Sequence, residues 1–160
     1  MSKINKSTVL ANRVQEVLLD GKWIANTNYK EQIFSVDFHL ANQSIHNLNS
    51  ITILTYHINY YLKGLNECFK TGDLTIQDKF SFDMSPLKTE DQWHSLRKEF
   101  VSNAEIFVHH VKSMNPQKLD DVFVKEQYGT YSRNIEGMIE HAYYHLGQIS
   151  LIKKLLRNKI

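Results

Sequence analysis

At 160 residues, 42% hydrophobic and 11% aromatic, the chain has the length and apolar content of one domain, residues 1–160, with a full core, and both argue against disorder. A net charge of +2, from 19 basic and 17 acidic residues interspersed along the chain, leaves no basic field of the kind nucleic acid requires. Cys68 is the single cysteine, the opening segment 1–6 lacks the apolar core of a secretory signal, and no stretch reaches the roughly 18 uninterrupted apolar residues of a membrane span, so a cytoplasmic protein without nucleic-acid or membrane partners is expected.

The first predicted helix runs from about Ser7 to Asp20. Val9, Leu10, Val14, Val17 and Leu18 recur at helical spacing, and Gly21 suits the left-handed residue that ends many helices. A connector carrying Trp23 then reaches to about Asn49; within it Phe34, Val36, Phe38 and Leu40 alternate with polar residues, a pattern shared by a short extended piece and a loose helical turn. The second helix begins near Ser50 with Asn49 as its cap and continues to Lys70, burying Ile51, Thr55, Ile58, Leu62, Leu65 and Phe69. The third starts at Thr89, where Thr89 and Gln92 have capping-box spacing, and ends near Met114 before Pro116. Its core face is Leu96, Phe100, Ala104, Phe107, Val108 and Val111. The last runs from about Tyr131 to Arg157 with Ile135, Met138, Ala142, Leu146, Ile149 and Leu156 inward, while Lys153, Lys154, Arg157 and Lys159 favour the negative end of its dipole.

Strand signals are weak throughout, so these elements predict an all-α fold, a four-helix bundle. The segment from about 71 to 88, which carries Phe80, Phe82 and Pro86, is far longer than an antiparallel hairpin needs and can cross a bundle of about 30 Å. A crossover there makes the second and third helices parallel and the second and last antiparallel, an up-down-down-up order.

His141 and His145 stand at i and i+4 in the last helix, so their rings project from one face about 5–6 Å apart at Cβ, a chelating spacing. Eight histidines in 160 residues give roughly 0.4 such pairs by chance, and a third ligand is therefore needed. His57 lies about 13 residues before the end of the second helix and the pair about 10–14 residues after the start of the last; between antiparallel helices these heights agree within about 5 Å. Facing helices stand about 8–10 Å apart, a gap that imidazoles and a metal can bridge. His109 is the reserve candidate, since His39 and His46 fall in the connector and His94 near the polar start of the third helix.

The segment His141-x-x-x-His145-x-Gly147-Gln148-Ile149, with Ser50-Ile51 followed by His57, resembles the DinB-like superfamily. That group includes the YfiT-type metal proteins, the bacillithiol S-transferases and the mycothiol-dependent maleylpyruvate isomerases. The resemblance covers essentially the whole chain, and the C-terminal signature is its most specific part. It implies a crossover four-helix bundle, usually a homodimer, that binds a divalent metal through His57, His141 and His145.

Three protein nitrogens leave open positions on an ion, the mark of a catalytic site. Such an ion lowers the pKa of bound water toward about 7 or holds a thiol as thiolate. Nickel or zinc is favoured over magnesium because imidazole is a borderline ligand. Ala142 stands where a zincin protease has its Glu, which disfavours that chemistry. The expected function is a metal-dependent transferase joining a low-molecular-weight thiol cosubstrate to a small-molecule substrate, or a related hydrolase. The alternative is a non-catalytic helical dimer module with a structural or vestigial metal site. Tyr61, one turn after His57, is expected in the pocket, and Gln148, one turn after His145, is expected to orient a ligand or water. Gly147 is expected to admit another helix closely. Glu140 points about 100° away from His141 and Glu136 lies more than a helical turn below it, Cys68 lies about 16 Å down the axis from His57, and no catalytic acid or base is identified.

Overall fold

The computed structural model describes residues 5–158; Lys159 and the first four residues of the segment read for a signal lie outside them. Among the described residues the protein is all-α, with six α-helices and no strand beyond one isolated bridge between Val122 and Thr130. No helix among them is long and apolar enough to cross a membrane.

Helix α1 (Lys6–Gln15) is capped by Asn5, whose side chain accepts from the Ser7 amide at 2.9 Å. It widens into a π-helical turn over Glu16–Asp20. Gly21 ends that turn in an extended conformation, φ −83° and ψ 166°, rather than the left-handed one expected. Its missing side chain matters for another reason, because a Cβ there would collide with the backbone of Glu16. The buried stripe is Leu10, Ala11, Val14, Val17 and Leu18, and Val9 is 42% exposed. One residue is about 100° of helix, enough to turn Val9 off the core face.

The connector contains two short helices, α2 (Tyr29–Phe34) and α3 (Phe38–Ala41), capped by Asn28 and Asp37. The Phe34–Leu40 alternation is therefore two helix ends meeting at a kink, with Val36 buried between them. Tyr29 anchors the connector: fully buried, it stacks on Phe100 at 4.8 Å and donates its hydroxyl to the Leu54 carbonyl at 2.9 Å.

Helix α4 (Ile51–Thr71) is capped by Ser50, not Asn49; the Ser50 hydroxyl accepts from the Ile53 amide at 3.3 Å. Gly72, at φ 85°, closes it in the left-handed region that glycine enters without steric cost. Helix α5 (Glu90–Ser113) is capped by Thr89, which accepts from the Gln92 amide at 3.2 Å. The return arm of the box lands one residue early, since Gln92 accepts from the Lys88 amide. Trp93, outside the expected stripe, is fully buried and donates to the Val36 carbonyl at 3.2 Å. Helix α6 spans Tyr131–Arg157 behind the Thr130 cap.

Contacts set the directions of these helices. Along α4 and α5 they advance together: Lys63 with Glu99, Asn66 with the Asn103 carbonyl, Phe69 with Phe107. Along α4 and α6 they run in opposite senses, His57 meeting His145, Tyr61 meeting His141 and Phe69 meeting Tyr131. The long crossover from Gly72 to Thr89 joins the two parallel helices and passes over the junction of α4 with α6.

Candidate metal centre

Tyr60 and Tyr61 pin the crossover against α4. The Tyr60 hydroxyl donates to the Gln77 carbonyl and accepts from the Gln77 amide, both at 3.0 Å, and Tyr61 donates to Asp78 Oδ1 at 3.0 Å. Gly64 lets the strap lie this close, because a Cβ at that position would overlap the Ile76 side chain. A short 3₁₀ turn, Asp78–Phe80, then delivers Ser81 and Phe82 to His57.

His57, His141 and His145 present their ligand atoms within 4.8 Å of one another and can hold a metal ion. His141 Nε2 lies 3.0 Å from His57 Nε2 and 2.9 Å from His145 Nε2. The outer nitrogens decide the proton positions. His57 Nδ1 lies 3.1 Å from the Ser81 carbonyl, which only accepts, so Nδ1 carries the hydrogen and Nε2 is a bare lone pair. His145 Nδ1 donates in the same way to Gln148 Oε1 at 2.6 Å. A neutral His141 brings at most one proton to the cluster, which leaves an inward lone pair without a partner. A shared cation resolves that shortage. An imidazole whose second nitrogen is tied to a carbonyl is the usual form of a metal ligand. Zinc–nitrogen bonds of about 2.0–2.1 Å put tetrahedral ligand atoms about 3.3 Å apart, so seating an ion would lengthen the 3.0 and 2.9 Å separations at His141 slightly and even out the spread of the three atoms, now within 4.8 Å.

Electrostatics favour the ligand form. Burial pushes His57 down to about 4, helped by the adjacent His145 and His141, and burial likewise pushes His141 down to about 4. Burial also lowers His145, against the opposing effect of the hydrogen bond it donates to Gln148. All three rings are neutral at pH 7 and need lose no proton to bind a metal.

Aromatic rings close most of the cluster. Phe82 stacks on His57 at 3.8 Å and 9°, Tyr61 stands edge-on to His57 and His141 with centroids at 5.2 Å, and Tyr144 meets His145 at 4.9 Å. His57 and His145 are buried, but His141 is partly exposed and lines a cleft of about 530 Å³. Ligand access is through that side.

Of the residues singled out in the sequence, Tyr61 lies in the cleft wall and Gln148 binds His145. His109 is exposed and remote, beside His110, and His39, His46 and His94 are exposed. Glu136 pairs with Arg13 at 3.6 Å and Glu140 with Arg133 at 3.1 Å. Nothing lies within 4 Å of a Cβ placed on Gly147, so it admits no neighbouring helix within this chain; the close approach occurs at Gly64. Ser81, Phe82, Asp78 and Arg133 are the site residues that the sequence reading missed. Arg133 had a legible signal, since residues 133, 137, 141 and 145 follow one another at i+4 along one side of α6. No protein-family model matches the chain, and neither a curated protein nor a solved structure matches it.

Proposed function

We propose that this protein is a cytoplasmic metal-dependent enzyme of the DinB-like kind, a four-helix bundle in up-down-down-up order. In this reading His57, His141 and His145 hold one divalent ion, nickel or zinc, and the protein joins a low-molecular-weight thiol to a small electrophile or carries out a related hydrolysis. One observation carries it: three Nε2 atoms converge with two outer nitrogens tied to acceptors, and the third ring opens on a cleft. A purely structural ion would be enclosed by four protein ligands.

A divalent ion at this site supplies the Lewis acidity that favours the ionised form of a thiol or of water near neutral pH. The chain's own residues do the rest. Ser81 and Gln148 hold two imidazoles in the tautomer that presents Nε2, Phe82 excludes water from the His57 face, and Tyr61 walls the entrance.

A homodimer belongs to the same reading. Tyr144, Leu151 and Leu155 form an exposed apolar stripe on α6, 64%, 56% and 40% accessible. Apolar stripes of this kind mark association surfaces. The same stripe would serve the second reading, a non-catalytic dimer module, and the cleft beside His141 is what favours the enzyme.

The deciding experiment has two parts. Metal analysis of the purified protein should find about one divalent ion per chain, and equal metal in a His141→Ala/His145→Ala variant would refute the site. The metal-loaded protein should then accelerate conjugation of small thiols to a generic electrophile, with His57→Ala inactive. Thiol-independent ester or amide hydrolysis instead would assign the hydrolase. Inactivity in both assays, with metal present, would favour the dimer module.

A further inference from the structure

We propose that the cleft beside the histidines takes an elongated amphipathic molecule, with an acidic group at Arg133 and a metal-seeking group at His141; the second half rests on the metal reading above. The cleft's volume of about 530 Å³ falls within the roughly 300–1,000 Å³ of small-molecule sites. Its charges are polarised. Asp78 sits at the metal end, fixed by Tyr61. Arg133 lies eight residues before His141 on the same helix, about 12 Å along the axis at 1.5 Å per residue. Between them Leu65 and Met138 contribute an apolar wall.

Arg133 has donors to spare. Glu140 takes both of its contacts from Nη1, at 3.2 and 3.1 Å, and among the described residues Nε and Nη2 have no protein partner. A guanidinium presents those two nitrogens as a fork that matches a carboxylate. The unused fork sets the orientation: a carboxylate gains two parallel hydrogen bonds at Arg133, whereas the end beside Asp78 offers it no such donors. The acid therefore goes to the Arg133 end, the apolar body spans the waist, and the other end reaches His141.

The test is a chain-length series of ω-mercaptoalkanoates against the matching ω-mercaptoalcohols, titrated calorimetrically into the metal-loaded full chain. Affinity for the acids should peak at one chain length, shorter than the backbone separation of about 12 Å because the guanidinium reaches along the helix to Glu140, and exceed that of the alcohol of equal length about tenfold. Arg133→Gln, at an exposed position, should remove that advantage while leaving metal content and alcohol binding unchanged. A second series, alkanoates without the thiol titrated into metal-free protein, asks whether the acid can belong to the other substrate. Weaker binding that still depends on Arg133 supports the cleft and assigns the acid to a molecule without a thiol. If metal-loaded protein binds neither thiol series while alkanoates bind through Arg133, the acid subsite stands and the thiol reading falls. An absence of any Arg133-dependent preference for acids in both series, or a preference that survives Arg133→Gln, overturns the proposal.

Discussion

Two pairs of histidines lie in long helices, and only one belongs to a candidate metal centre. His141 and His145 are four residues apart on α6 and turn their Nε2 atoms toward each other at 2.9 Å. His109 and His110 are neighbours on α5, so they point about 100° apart, and His109 is exposed. His110 Nε2 is buried without a hydrogen-bond partner. Burial lowers the pKa of His110 too, with Lys70 and His109 adding to the effect. A buried ring nitrogen and depressed basicity are therefore features that His110 shares with the α6 pair. What separates them is a third imidazole at the same depth and an acceptor behind two of the rings.

The largest effect should come from breaking the triad. His57→Ala or His145→Ala should reduce bound metal from about one ion per chain to the level of a blank, because two imidazoles hold a divalent ion far more weakly than three. His110→Ala should leave the metal unchanged. Circular dichroism should still report a helical protein in each case, since the apolar stripes supply the burial energy. Loss of helicity on chelation would instead mean that the metal drives folding.

A smaller effect is expected from the residues behind the ligands. Gln148→Leu removes the acceptor that sets the His145 tautomer. Such partners are worth about 10–100-fold in metal affinity, measurable by competition with a chelator. An affinity equal to wild type would show that the Gln148 contact does not select the tautomer.

Much of this arrangement was legible before the structure. The i, i+4 pair and the bounds of α6 follow from local periodicity, and His57 follows from counting helical rise, because helices convert sequence separation into height. The crossover converts nothing of the kind. It has no periodicity, so Ser81, Phe82 and Asp78 come to the histidines through contacts with Tyr60 and Tyr61 that pair residues 17 apart. The cap of α4 was ambiguous because Asn49 and Ser50 are both strong caps; which oxygen reaches the third amide is a matter of backbone path. Gly21, Gly64 and Gly147 look alike as letters, and only their neighbours separate a collision with Glu16 or Ile76 from open space.

Acid should weaken the metal-free fold. His57 and His141 titrate near 4 in the folded protein against an ordinary value of 6.5. Between those values the unfolded chain binds protons that the folded one does not, so stability is full above about 6.5 and falls as pH drops toward 4. Thermal melts of metal-free protein across that window should show Tm falling, with a shallower slope in His57→Gln. A Tm independent of pH in the window would mean that these rings are not held neutral by burial.

The smallest effect is the most discriminating. His110 Nε2 is buried with no partner, while the ring edge meets Phe69 at 5.9 Å. Replacing it with Phe keeps an aromatic against Phe69 and removes an unsatisfied polar atom, so His110→Phe should raise stability by about 1 kcal/mol with metal content unchanged. The same change at His145 removes two ring nitrogens that each have a partner and strands Gln148 Oε1 beside an apolar ring. His145→Phe should therefore lose the metal and lower the thermal midpoint of the metal-free protein. Opposite signs for one substitution at two histidines with buried ring nitrogens would locate the difference in their partners; matching signs would place both rings in the same structural class.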